Sequence, residues 1–308
     1  MRLGTLIAIL AVLTAAAGAA FYALTMPSAI AQLQQPARQA NIANGETMFF
    51  AGGCASCHAT PNQDDPKRLG GGLALKTPFG TFLAPNISSD PQHGLGAWSE
   101  SAFVNAMLRG VGRNGEHLYP AFPYTSYQRM PLDDVRDLFA FLKALPAETT
   151  RSLPHELAFP FTVRRAIGLW KLRYLDGKAF APDPAKSATL NRGAYLVEGP
   201  GHCAECHSPR DAFGGIIAER RFTGGADAEG KGWVPNITPH ADGIATLSEK
   251  DIAYLLETGF TPDGDSVGSM MADVVLNTSK LSAEDRAAMS AYLKALPPIA
   301  GKAPPKKN

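Results

Sequence analysis

The chain has 308 residues, 45% of them apolar and 19% charged, with 29 basic against 28 acidic side chains and a net charge of +1. That balance leaves no basic field to hold a nucleic acid and no strong charge to steer a partner. No Ser/His/Asp triad, glycine-rich phosphate loop or paired-carboxylate site can be read in it, so no catalytic residue is assigned.

Met1 and Arg2 precede an uncharged stretch from Leu3 to Leu24, which predicts an N-terminal hydrophobic helix. Pro27 and Ser28 follow it, and then Ala29-Ile30-Ala31, an Ala-x-Ala cleavage pattern ahead of Gln32. Residues 1–31 are therefore either a signal peptide cleaved after Ala31 or a retained membrane anchor. Either way the rest of the chain is exported, which in a bacterium means the periplasm, with inner-membrane association if the helix stays.

All four cysteines fall in two pentads, Cys54-Ala55-Ser56-Cys57-His58 and Cys203-Ala204-Glu205-Cys206-His207. In Cys-x-x-Cys-His the two thiols add to the vinyl groups of a haem and the histidine ligates its iron. Two covalently bound haems c are expected, on Cys54, Cys57 and His58 and on Cys203, Cys206 and His207. A zinc site built from paired Cys-x-x-Cys knuckles is the rival on ligand type, but it gives no reason for a histidine directly after each second cysteine. Committing every thiol to haem also suits an oxidising compartment.

The second pentad lies 149 residues after the first, and the same offset carries Ser99 to Ser248, Gly110 to Gly259 and Leu132 to Leu281. One module is written twice. Each copy has Pro-Asn-Ile-Ser/Thr after its pentad, at 85–88 and 235–238, and each ends on Leu-Lys-Ala-Leu-Pro, at 142–146 and 293–297. Val135, Leu138, Phe139 and Leu142 recur at helical spacing, as do Met289, Tyr292, Leu293 and Leu296. These are predicted final helices, stopped by Pro146 and Pro297. Ser248 to Asp251 and Ser282 to Asp285 read as capped helix starts, and Gly110 and Gly259 as helix ends. The expected fold is all-α: two tandem class I cytochrome c domains at 32–147 and 187–298, with a tail at 299–308. Residues 148–186, with Phe159-Pro160-Phe161 and Trp170, read as a packed inter-domain strap.

Three strings carry a resemblance to a known family: His117-Leu118-Tyr119-Pro120-Ala121-Phe122-Pro123-Tyr124, Leu157-Ala158-Phe159-Pro160-Phe161 with Arg164 and Trp170, and Arg192 to Val197 leading into Gly201 to Arg210. The chain after about residue 40 resembles the cytochrome c subunits of bacterial periplasmic membrane-bound dehydrogenases, which serve alcohol, gluconate and sorbitol dehydrogenases. Many of these carry three haems, and shorter relatives carry two. The resemblance implies a relay that takes electrons from a dehydrogenase and passes them to quinone, a terminal oxidase or another cytochrome.

A methionine as sixth iron ligand separates a relay from an enzyme, because it saturates the iron and raises its potential. In the second copy the offset and the family's Met-Ala pattern point to Met271, with Met270 the neighbouring alternative. In the first copy the equivalent position is Phe122, which cannot coordinate iron. Met130 is the chosen candidate there, with Met107, His117 or an open site as alternatives. An open first haem would suit a haem enzyme of peroxidase or thiosulfate-oxidising type. Arg210 is a candidate propionate partner, Trp98 and Trp233 are candidate walls of the haem pockets, and His202 reads as structural. His93, His155 and His240 read as solvated.

Overall fold

The computed structural model describes residues 3–30 and 38–302; Ala31, where cleavage is expected, and residues 303–308 of the tail lie outside them. Leu3–Leu24 forms helix α1, which buries none of its side chains against the protein. Its 22 residues rise about 33 Å at 1.5 Å each, enough to cross the hydrocarbon of a bilayer.

The first copy is built from α2 (Ile42–Ala51), the short α3 (Cys54–His58), α4 (Glu100–Arg109), α5 (Tyr124–Tyr127) and α6 (Leu132–Ala144). After α7 (Ile167–Tyr174) the same order returns as α8 (Ala188–Glu198), α9 (Ala204–His207), α10 (Glu249–Thr258), α11 (Met270–Thr278) and α12 (Ala283–Ala295). The caps follow the local chemistry. Ser248 and Asp251 form a capping box at α10, Ser282 caps α12, and Gly110 and Gly259 end α4 and α10 in the left-handed conformation.

In each copy the first helix packs on the last, α2 on α6 and α8 on α12. The contact is close because a glycine sits at each crossing. A Cβ on Gly45 would overlap the Asp137 carbonyl and Phe141 Cβ, and one on Gly193 the Ala288 carbonyl and Tyr292 Cβ. Fully buried Phe49, Val135 and Leu142 fill the first crossing, and Leu196 and Val197 face Met289 and Leu293 at the second. Gly193→Leu is therefore expected to force α8 off α12 at a cost of about 3 kcal/mol. Thermal melting of the holoprotein checks this; an unchanged midpoint would mean that the crossing can loosen without penalty.

The all-α expectation fails at two small sheets. β1 (Ala74–Thr77) and β2 (Gly80–Leu83) form an antiparallel hairpin, and β3 (Glu156–Leu157) joins the free edge of β2. In the second copy β4 (Gly225–Ala226) pairs with β5 (Trp233–Val234). None exceeds four residues, so an alternating pattern has too few periods to be read from sequence. The first hairpin turns at Pro78-Phe79, where the Thr77 hydroxyl accepts from the Phe79 amide at 3.1 Å and donates to the Gly80 carbonyl at 2.9 Å.

The 148–186 segment touches both copies. The Trp170 ring lies edge-on to Tyr124, 6.2 Å between centroids, and its Nε1 donates to the Phe213 carbonyl at 2.9 Å. Tyr174 donates to Asp211 at 2.6 Å, while the Phe180 amide donates to the Arg129 carbonyl and its ring lies tilted against Tyr195.

Candidate functional site

The first pentad forms the short helix α3 and the second forms α9 with Cys203 as its N-cap in helical conformation, and a spacing of three residues puts both cysteines of each on one face. The histidine that follows is oriented by a proline from the Pro-Asn-Ile segment. His58 Nδ1 lies 2.8 Å from the Pro85 carbonyl oxygen, and His207 Nδ1 lies 2.8 Å from that of Pro235. A carbonyl can only accept, so Nδ1 carries the proton and Nε2 keeps its lone pair for a metal. The chain reaches the proline through a glycine with positive φ, Gly71 at +72° and Gly224 at +75°, whose amides donate back to the His58 and His207 carbonyls. A Cβ at either glycine would collide with the main chain just before or at the proline. The next residue locks the arrangement: Asn86 Nδ2 donates to the Glu148 and Thr150 carbonyls, and Asn236 Nδ2 to that of Ile299. The lysine of each Leu-Lys-Ala-Leu-Pro closes the same loop, Lys143 on the Gly96 carbonyl and Lys294 on those of Ile244 and Ala245.

These residues fit covalent haem. None of the four cysteines is committed to a disulfide. Burial pushes Cys54 and Cys203 up to about 12 and raises Cys57 and Cys206, so the surroundings disfavour a charge and suit a neutral thioether. Burial likewise lowers His58 and His207, against the opposing prolyl bond, which favours the neutral imidazole that a metal needs. Among the described residues no three His, Cys, Asp or Glu side chains converge on a common metal position.

The candidate sixth ligands differ in setting. Met130 is 2% exposed and belongs to the apolar core against which Cys54 and Phe122 pack. Met107 is buried on α4. His117 is buried too, but its Nε2 is bonded to the Thr25 carbonyl at 2.9 Å, which ties the ring to the end of α1. The methionine pair of the second copy opens helix α11: Met271 packs against the core while Met270 is half exposed. Arg210 pairs with Glu205 at 2.6 Å, which occupies the side chain expected at a propionate. His202 is structural, with Nε2 3.2 Å from the Gly52 carbonyl oxygen. His155, expected in solvent, packs between Phe82 and Tyr119, and its Nδ1 accepts from the Leu83 amide. His93 pairs with Asp90 and His240 with Asp242. Trp98 is partly buried against the core, and Trp233 lies on β5.

Residues 42–146 match the cytochrome c family. Over 257 residues the chain is 49% identical to a diheme cytochrome c-type protein of Cereibacter sphaeroides, an alignment that spans 83% of this chain and 86% of the relative. The chain belongs to the dihaem c-type cytochromes. It is also 32% identical to the cytochrome subunit of the fructose dehydrogenase of Gluconobacter japonicus, over 85% of this chain and 54% of that protein. Identity to the cytochrome c subunit of the alcohol dehydrogenase (quinone) of Gluconobacter oxydans is 34%, over 86% of this chain. The cytochrome spans 56% of that subunit's length. Covalently bound haem c is thus the cofactor of this cytochrome.

The two copies of the cytochrome meet at their pentads, and the contact is reciprocal. From the first copy, Thr125 and Ser126 of α5 each donate to Glu205 of the second pentad at 2.9 Å. From the second, Asn277 of α11 donates at 3.0 Å to Ser56 of the first pentad, whose hydroxyl donates to the Asp273 carbonyl at 3.3 Å. Tyr127 and His202 lie ring to ring between them, 5.6 Å apart. Ser56 and Glu205 fill the variable positions of the two pentads and were not singled out in the sequence. A polar side chain between two haem-binding cysteines was the available signal.

Proposed function

We propose that this dihaem cytochrome accepts electrons from a dehydrogenase partner in the periplasm and delivers them to quinone, a terminal oxidase or another cytochrome. Haem iron supplies the chemistry, a one-electron cycle between ferrous and ferric. In this reading the chain is two tandem class I cytochrome c domains. Cys54, Cys57 and His58 hold one haem and Cys203, Cys206 and His207 the other, with Met130 and Met271 as sixth ligands. The observation that carries the reading is the doubled histidine-to-proline bond, which leaves a metal-binding nitrogen next to each pair of thiols. The pentads' position at the contact between copies supports passage of electrons from one haem to the other within the chain.

The chain is an electron-transfer subunit, and a peroxidase or thiosulfate-oxidising role is not favoured, since the dehydrogenase relatives are named as cytochrome subunits. The dehydrogenase partner is proposed from those names. In the same reading α1 is retained as an inner-membrane anchor, because residues just ahead of Ala31 are built into the folded protein. Thr25 is fully buried, and the Ile30 amide donates to Asn105 Oδ1 at 2.6 Å.

Intact mass spectrometry of protein purified from membranes tests both points. The expected mass is that of the chain with residues 1–31 still present and two haems added, with a pyridine haemochrome spectrum of thioether-bound haem. A single-haem increment would overturn the stoichiometry, and an N-terminus at Gln32 would overturn the anchor.

A further inference from the structure

We propose that the segment joining the two copies is a membrane seat: α7 and the loop before it lie in the headgroup region of the bilayer beside the end of α1. The inference rests on α1 being retained as the anchor. A helix that crosses the bilayer must bring its last turn to the membrane surface, and whatever packs on that turn comes with it. Here that is α7 and the residues leading into it. Gly168 lies so close to Thr25 that a Cβ would approach the Thr25 Cα to 2.6 Å. Arg165 donates from Nη2 to the Tyr22 carbonyl at 2.8 Å and from Nε to the Thr25 hydroxyl at 2.9 Å, with its guanidinium 4.3 Å from the Tyr22 ring centroid. The Tyr22 carbonyl is one of those a helix leaves unpaired at its C-terminus, and a cation there also complements the helix dipole. Thus α7 is fixed against the point where α1 leaves the hydrocarbon.

The surface around this foot has the composition of an interfacial element. On α7, Gly168 and Lys171 face inward, while Leu169, Leu172 and Arg173 are exposed at helical spacing. Phe159 is 82% exposed, Leu172 65% and Phe213 69%, with Phe161 and Val163 half exposed beside them. The apolar residues are linked across the fold. Phe161 stacks edge-on with Phe79 at 5.1 Å, the Phe79 ring borders Gly214, and the Phe213 carbonyl accepts from Trp170. Single exposed apolar residues are ordinary, but a group of this kind at the base of a membrane helix is a contact surface. Between Glu156 and Asp176 the chain carries no acid, and its outward cations, Arg164, Arg165 and Arg173, complement anionic lipid headgroups. Phe213 belongs to the second copy, so both copies border the seat and both haems are held at a set height above the membrane.

The test uses the full-length holoprotein with a photoreactive benzophenone amino acid at one position at a time, in liposomes of phosphatidylcholine and phosphatidylglycerol. Leu10, in the middle of α1, reports the anchor. Tyr254, exposed on α10 and no part of the proposed seat, is the comparison position. Irradiation is expected to give lipid adducts at Phe159 and Leu172 in a yield comparable to Leu10 and about tenfold above Tyr254, as for side chains buried in the headgroup and acyl boundary. Lipid adducts at Leu10, with Phe159 and Leu172 no higher than Tyr254, would overturn the seat and leave the anchor standing. No lipid adduct at Leu10 would overturn the anchor and the seat with it. In native membranes, polypeptide adducts replacing lipid adducts at both positions would overturn the seat in favour of a dehydrogenase contact.

Discussion

Replacing both Cys54 and Cys57 by alanine is expected to leave a chain with one haem and an unfolded first copy. The first copy has long loops and few helices, and the thiol of Cys54 packs against a core that includes Met48, Phe49, Val104 and Met130. A haem removed from such a core leaves a void of several hundred Å³. At about 24 cal/mol per Å³ of residual cavity the cost is on the order of 10 kcal/mol. That is as large as the whole stability of a domain, about 5–15 kcal/mol. Hydrogen exchange should therefore lose protection across residues 42–144, while α8, α10 and α12 keep theirs. Protection of α11 should fall part of the way, because Asn277 loses its partner Ser56. Intact mass gives the haem count in the same sample. A one-haem chain with both copies still protected would mean that the polypeptide core alone suffices.

What could be read from the sequence was local. The capping box at Ser248, the helix ends at Gly110 and Gly259 and the stops at Pro146 and Pro297 depend on neighbours within a few residues, and all appear where expected. The repeat itself was visible, but the work of Pro-Asn-Ile was not. The bonds that explain it run from His58 to Pro85, 27 residues on, and from Asn86 to Glu148, 62 residues on. The lysine in each Leu-Lys-Ala-Leu-Pro is similar, a conspicuous motif whose partner is a distant loop carbonyl. His155 looked solvated because nothing near it in sequence explains it, and only tertiary packing puts it between Phe82 and Tyr119. The foot of α1 was hidden for the same reason. Thr25 reads as an unremarkable residue after an apolar run until His117, Arg165 and Gly168 close around it.

Met271→Ala and Met130→Ala are each expected to open one haem to carbon monoxide and to lower one of the two potentials. A thioether ligand favours the ferrous state, so its loss moves the couple downward within the roughly 0.8 V range that axial ligands span. In the wild type both ferric haems should show the weak near-infrared band of methionine-to-iron charge transfer. Each single variant should lose half of it, and the double variant should lose all. The two changes should be close to additive, because Met130 belongs to the first copy and Met271 to the first turn of α11 in the second. The links between copies that α11 makes run through the Asp273 carbonyl and the Asn277 side chain, neither of which the Met271 variant alters. His117 ties its ring to the end of α1 through Nε2, and Phe122 offers no donor atom. Rapid carbon monoxide binding by half of the wild-type haem would overturn the Met130 assignment and revive an open first site. In the second copy, loss of the band in Met270→Ala but not in Met271→Ala would move the ligand one residue earlier, onto the half-exposed side chain that opens α11.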